Sequence, residues 1–304
     1  MRKTAPGAYL ALISAVVIWG LSFVATKMAL ESIPTFTLIF ARFGIGACLF
    51  IGIMAKRGVP RLSKGDNLRM FLTALFEPGL YFFFETVGLQ YTTAAKASLI
   101  IAAIPVVVLI LGRILIKEKT GFSSFIGVAV SIAGISILVA GDPRIANGLG
   151  GGLLGDMLIF GAVLSASLYT ISVRHLAKRH SSFEITTMQT IYGGIFYAPA
   201  FLWELPGIEF SAISGRSIGA LVYLTLFATI IAFLCYNHAL SKLTAAKAAV
   251  FINGVPVVTA IGAWIILGER LTLIQAMGGL LVLFGVFLTN FQGVLGKNRR
   301  ATSN

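Results

Sequence analysis

The sequence predicts an all-α membrane protein whose ten transmembrane helices form two five-helix repeats of inverted topology. Three observations carry that prediction: the composition, a ladder of long apolar stretches, and a duplication in register. Of 304 residues, 57% are hydrophobic and only 12% charged, with a mean hydropathy of +0.92. An ordinary soluble domain has about a quarter charged residues, so most of this apolar surface has to be dissolved in lipid.

A hydrocarbon core of about 30 Å takes about 20 apolar residues per helix. Ten stretches reach that length, at 8–30, 34–55, 68–89, 94–116, 122–140, 153–174, 185–203, 217–237, 245–266 and 272–291. The first follows Arg2 and Lys3, but its run from Ala8 to Thr26 is longer than the roughly 7–15 residues of a signal-peptide core, which reads as an uncleaved helix. Basic residues orient the set. With the N-terminus inside, 18 of the 24 Lys and Arg fall on the inner side, including Lys56, Arg57, Arg61, Lys64 and Arg69 in one loop. Five fall outside, Lys27, Lys96, Arg144, Arg216 and Arg270, and Arg42 alone lies in mid-span. Cytoplasmic loops carry such an excess. Both termini are therefore expected to be cytoplasmic, in a multi-pass protein of the cell membrane (plasma or inner). The net charge of +13 then describes orientation in a lipid bilayer and no nucleic-acid partner.

The duplication is specific. Thr93-Ala94-Ala95-Lys96-Ala97 opens the fourth span, and Thr244-Ala245-Ala246-Lys247-Ala248 opens the ninth, 151 positions later. At the same offset Pro105-Val106-Val107 matches Pro256-Val257-Val258, Glu118 matches Glu269, Gly127 matches Gly278, and Gly134 matches Gly285. Five spans is an odd number, so the second copy enters the membrane from the opposite side, as alternating-access carriers commonly arrange. The expected organisation is a first repeat over 1–140, a Gly-rich external linker over 141–152, a second repeat over 153–291 and a basic cytoplasmic tail over 292–304. Gly150, Gly152 and Gly155 have dinucleotide-loop spacing, but no strand precedes them as that motif requires.

Trp19-Gly20-x-x-Phe23 in the first span, the paired Thr-Ala-Ala-Lys-Ala…Pro…Glu pattern and the two five-span halves resemble the EamA-like family of the drug/metabolite transporter superfamily, from about residue 8 to 291. The resemblance implies secondary transport of a small-molecule substrate, often export of amino acids or related amphipathic compounds. It implies a central cavity lined mainly by spans 1, 3, 4, 6, 8 and 9, without a cofactor. A carrier of anionic sugar- or nucleotide-linked metabolites is the alternative; it would want a dense basic cluster at mid-depth, where Arg42 stands alone. A channel would want a ring of like charges or a filter loop. His175, His180, His238, Cys48 and Cys235 show no metal-ligand spacing within a span, so neither a metal nor catalysis is expected.

Ionisable groups inside a span are functional candidates by default. Glu77, Tyr81 and Glu85 recur every four residues along the third span and so form one stripe of a regular helix. Counted at 1.5 Å per residue, Glu77 lies roughly 13 Å and Arg42 about 18 Å from the inner boundary of a core of about 30 Å, a difference that a long Arg side chain can bridge. They are expected to pair near the midplane, as a fixed strut or as a site whose pairing changes with substrate. Glu77 and Glu85 are the candidates for coupling to protons. Glu85, Lys27 and Lys96 share a more external depth, as an outer gate or as snorkelling side chains. Lys96 and Lys247 stand in first helical turns, where the dipole favours anions, and either attract an anionic group or position the helix end. Pro105 and Pro256 each remove a hydrogen bond to the residue four back, as hinges or as packing features, with Asn253 beside the second. Trp19, Phe23, Tyr169 and Tyr236 are candidates to line the cavity or to anchor helix ends. The oligomeric state is left open.

Overall fold

A computed structural model describes residues 6–57, 62–116, 122–141, 151–176, 179–242 and 254–301. Its regular elements are all helical, with no strand among the described residues. Helices α1 (Pro6–Ala29) and α2 (Thr35–Arg57) are continuous. Pro6 opens α1, where a missing N–H costs nothing. The third span is not one helix. It consists of α3 (Lys64–Ala74), a π-helical turn over Leu75–Leu80 and α4 (Tyr81–Tyr91). Ser63 caps α3 by accepting from the Asp66 amide at 3.1 Å. Pro78 lies in the π turn, and Glu77 there has non-helical dihedrals, φ −146° and ψ 111°. A proline inside a helix removes a ladder bond and clashes with the preceding turn, which accounts for the break.

The fourth span is also divided, into α5 (Ala94–Ile101) and α6 (Ile104–Ile116), around a turn at Ala102 and Ala103. Pro105 therefore sits in the first turn of α6 and not in a helix interior. Then follow α7 (Phe122–Ala140), α8 (Gly151–Leu176) and α9 (Ser182–Glu204), the last begun by a reciprocal capping box between Ser181 and Glu184. Two short 3₁₀ segments lead to α10 (Gly215–Tyr223), which runs through a π-helical turn at Leu224–Ile231 into α11 (Ala232–Lys242). No proline explains this turn. Instead the Trp19 indole donates to the Ala228 carbonyl at 3.1 Å and Thr225 Oγ1 bonds back to the Leu221 carbonyl at 2.8 Å; side chains inserted into the ladder distort it. Finally come α12 (Val255–Gly262), a π turn over Ala263–Leu267 closed by Gly268 at φ 68°, and α13 (Leu273–Ala301). Pro256 lies in the first turn of α12. Lys247 and Asn253 lie outside the described residues.

Among the described residues, six helical segments are long and apolar enough to cross a membrane: Gly7–Ala29, Thr35–Lys56, Lys64–Tyr91, Ala94–Ile114, Gly152–Val173 and Gly215–Ala239. Ile126–Ala140, Val255–Leu267 and Leu273–Leu288 are apolar but shorter. Helix α9 is long enough, yet it carries Thr186, Thr187, Gln189 and Thr190, all buried. Large apolar residues crowd the outside, among them Leu10, Ile265, Leu280 and Phe287. An exposed belt of that kind is costly in water and natural in lipid. The interior is built around α1 and α5, where Val16, Phe23, Val24, Leu89, Ala97, Ile100 and Ile101 form the largest core.

Helices α7 and α13 meet backbone to backbone. A Cβ on Gly134 would stand 2.6 Å from the Val282 nitrogen and 2.8 Å from the Gly278 oxygen; one on Gly285 would stand 2.5 Å from the Ser131 nitrogen and 2.7 Å from the Gly127 oxygen. Small residues allow such approach in membranes, where packing drives helix association. Gly134→Val is expected to cost about 1–3 kcal/mol through overpacking, read as a lower Tm of the purified protein. Gly219→Ala, with nothing within 4 Å of its Cβ, is expected to leave Tm unchanged.

Candidate functional site

Arg42 lies in the middle of α2 and is 4% exposed. Its Nε donates to Thr229 Oγ1, on the π turn before α11, at 2.5 Å. The guanidinium carbon lies 4.3 Å from the ring centroid of Phe82 and 5.6 Å from that of Phe43. Phe43 and Phe82 belong to an aromatic shell with Tyr197, Phe36, Phe40 and Tyr81. A weakly hydrated planar cation stacks well on such faces. Glu85, Tyr81, Glu77 and Tyr223 stand around Arg42.

The two carboxylates differ in setting. Glu85 is 2% exposed on α4 and accepts from Thr86 Oγ1 at 3.0 Å. Glu77 is half-buried and sits where the helix is broken. The expected direct pair between Arg42 and Glu77 is not formed: among the described residues no ion pair joins Arg42 to either carboxylate. The reason is the π turn, which takes Glu77 out of the four-residue stripe that a regular helix would give it. The break is itself held in place. Tyr197 of α9 donates to the Gly79 carbonyl, and a Cβ on Gly193 of α9 would stand 2.6 Å from Pro78 Cγ. Tyr169 of α8, buried, bonds to Gln189 of α9 at 3.2 Å and lies in the field of Glu77.

Two aromatic candidates meet. Trp19 packs against Tyr236 and Phe233 at ring distances of 5.0 and 5.1 Å. Phe23 is buried in the core around α1 and α5.

The two lysines placed beside Glu85 by depth face elsewhere. Lys96, fully buried, pairs with Asp156 of α8 at 2.6 Å, and the other Asp156 oxygen accepts from Thr92 Oγ1 at 3.1 Å. Lys27 donates to the Thr92 carbonyl at 2.8 Å and pairs with Glu269 at 3.4 Å. Glu269 in turn accepts from the Ala94 and Ala95 amides, each at 3.2 Å, while Thr93 Oγ1 accepts from the Lys96 amide. The start of α5 is thus capped from outside its own chain segment by a carboxylate, which satisfies donors that a helix end leaves open. Beside this lattice lies a pocket of about 450 Å³ bordered by Lys27, Glu31, Pro34, Leu89 and Gln90.

Thr229, Asp156 and the shell of Phe43 and Phe82 were not singled out in the sequence. Asp156 could have been, as an acidic residue beside an apolar run; Thr229 gives no signal, because its role depends on a residue 187 positions away.

Long apolar helices around buried charges define a multi-pass membrane protein. The family model of the EamA-like transporter family matches residues 6–140 and again residues 153–291, and the chain belongs to that family of membrane transporters. It is 27% identical over 289 residues to the uncharacterized transporter YetK of Bacillus subtilis, covering 94% of this chain and 88% of YetK. It is 28% identical over 275 residues to an uncharacterized transporter of Archaeoglobus fulgidus, covering 90% and 95%. A solved crystal structure at 20% identity superposes with a TM-score of 0.66 over 97% of this chain and 99% of its own, a likeness of fold.

Removing one partner of a buried ion pair strands a charge, at about 3–5 kcal/mol. Lys96→Met is therefore expected to lower Tm strongly, and the double variant Lys96→Met with Asp156→Leu to recover most of the loss. Thermal unfolding of the purified variants measures both.

Proposed function

We propose that this chain is a secondary transporter that moves a small metabolite by alternating access. In this reading its ten spans form two inverted five-helix repeats, both termini are cytoplasmic, and it exports amino acids or related amphipathic compounds. The observation that carries the reading is the group of Arg42, Glu77 and Glu85 inside apolar helices. Charges at that depth are expensive and mark substrate or ion pathways. One base facing two acids suits an amphipathic substrate with a cationic group better than a sugar- or nucleotide-linked anion.

Support for the inverted repeat comes from contacts that recur at the offset of 151. Gly134 meets Gly278 and Val282, and the corresponding Gly285 meets the corresponding Gly127 and Ser131. Arg42 bonds to Thr229, and the corresponding Gly193 touches the corresponding Pro78. The π turn at Leu75–Leu80 matches positions within that at Leu224–Ile231. Contacts that map onto themselves when two copies are exchanged are what a two-fold relation produces. The two separate matches to one family model agree with it.

The Trp19–Tyr236 pair, Tyr81 and Tyr169 are proposed to line the substrate path. Lys27 and Lys96, with their partners, are proposed to close one end, and the turn before Pro105 to flex. The test is counterflow in proteoliposomes preloaded with single amino acids. Saturable uptake of labelled amino acid is expected, and Glu77→Gln is expected to lower it by roughly ten- to a hundredfold, the value of one charged hydrogen bond. Linear, unsaturated flux would sink the carrier reading.

A further inference from the structure

The pocket at the end of α1 shares no lining residue with the Arg42 cluster, and its volume of about 450 Å³ falls in the range of small-molecule sites. Its walls come from the end of α1, the connection to α2, the first residue of α2 and the end of α4. These walls are fixed from outside the pocket. Ser32 donates to Ser217 Oγ at 2.9 Å and accepts from the Ser214 amide at 3.0 Å, which pins the connection to the start of α10. The Phe36 and Thr37 amides donate to the Glu204 carboxylate at 3.2 and 2.7 Å, so the end of α9 caps α2. Gln90 donates through Nε2 to Thr35 Oγ1 and ties the end of α4 to the start of α2. A site held in this way loses little freedom when it is filled.

Two charges of opposite sign border the pocket. Lys27 carries three N–H donors. The Thr92 carbonyl takes one at 2.8 Å, and Glu269 stands at 3.4 Å, a looser pair than the 2.6 Å between the buried Lys96 and Asp156. Glu269 is also engaged by the Ala94 and Ala95 amides. Among the described residues Lys27 therefore has room for one more acceptor. Glu31 is joined to Arg216 at 3.3 Å, with the two side chains 43% and 46% exposed, and such an exposed pair holds its members weakly. The Leu30 amide still donates to the Thr26 carbonyl at 3.0 Å, which carries the helical course past Lys27 and sets Glu31 about one turn from it. Leu30, Ile33 and Leu89 supply apolar lining. A pure anion would meet Glu31 and a pure cation Lys27, whereas a zwitterion with an apolar side chain complements all three parts.

We propose that this pocket binds a zwitterionic amino acid with an aliphatic side chain, its carboxylate on Lys27, its ammonium on Glu31 and its side chain against Leu30 and Leu89. The site lies beside the end that Lys27 and Glu269 close, where it holds a substrate waiting to enter or a product that has just left. That meaning deepens the transport reading and rests on it; the binding itself does not.

The test irradiates the purified wild-type protein in detergent with photo-leucine, the diazirine analogue of leucine, and locates the label by mass spectrometry. Saturable label is expected on the segments Leu30–Thr35 and Leu89–Gln90. Leucine is expected to suppress it at least tenfold, whereas 4-methylpentanoate, which lacks the ammonium, and 3-methylbutylamine, which lacks the carboxylate, leave most of it. Lys27→Met is expected to lower the label at least tenfold. Gln90→Trp, at an exposed position, narrows the pocket while keeping every ion pair and is expected to lower it at least fivefold, so the proposal stays testable should Lys27→Met fail to fold. Label that falls on Glu77 or Tyr81 instead, that does not saturate, that either single-charge analogue suppresses as well as leucine does, or that persists in the variants would overturn the assignment. Counterflow without label in the pocket refutes the site and leaves transport standing; label in the pocket without counterflow supports the site and refutes transport.

Discussion

A guanidinium taken out of water in the middle of an apolar bundle is the constraint on which the rest of this structure depends. After relaxation, burying such an ion still costs several kcal/mol, so it persists only where partners converge. For Arg42 they come from separate segments: Thr229 from the π turn before α11 and the Phe82 ring from α4, with the carboxylates of Glu85 and Glu77 nearby but in no ion pair with it. The relative placement of α2, the third span and the π turn before α11 is thereby tied to one side chain. Helix α9 supports the arrangement from behind, with Tyr197 on the Gly79 carbonyl and Gly193 against Pro78. The buried threonines and Gln189 of α9, which lower its hydropathy, belong to the same polar interior.

Much of this was legible in the sequence, and the limits have physical causes. Hydropathy summed over about 20 residues is a local quantity, so most of the described apolar helices could be placed to within a few residues; α13 runs on to Ala301, past the expected end at 291, and the start of the ninth span lies outside the described residues. Breaks are less visible. Pro78 signals one, but the turn at Leu224–Ile231 contains no proline, and its cause is the Trp19 indole from a helix 209 positions away. Depth along a span was legible at 1.5 Å per residue, while direction around the helix axis was not. That is why Lys27 and Lys96 were grouped with Glu85 although Lys96 turns to Asp156 and Lys27 to Glu269. Helix regularity, assumed for the Glu77–Tyr81–Glu85 stripe, holds for Tyr81 and Glu85 within α4 and fails at Glu77.

The repeated register separates scaffold from chemistry. At corresponding positions one pair is Arg42 and Thr229, joined by a hydrogen bond, and the other is Gly193 and Pro78, in van der Waals contact. The frame is kept while the polar groups stand on one side of it. In α7 and α13 both copies keep glycine, because there the contact is between backbones and a side chain on either helix would push them apart. At the seam of α7 and α13 the shared residues serve packing, whereas the shared Lys96 and Glu269 are held in ion pairs; Arg42 has glycine, not a second base, at its corresponding position.

The ionic lattice around Lys27 and Lys96 has a different character from the cluster around Arg42. Glu269 satisfies the Ala94 and Ala95 amides as well as Lys27, and buried backbone donors without a partner are costly. Moving Glu269 would therefore open the end of α5, so any rearrangement there has to carry α5 and the segment after α12 together. Asp156 is likewise committed twice, to Lys96 and to Thr92. Glu77 has no backbone group to satisfy among the described residues. Glu77 and Glu85 can therefore change partner without unmaking a helix end, whereas Glu269 cannot, so the polar groups of the third span are free to rearrange where those at the start of α5 are fixed.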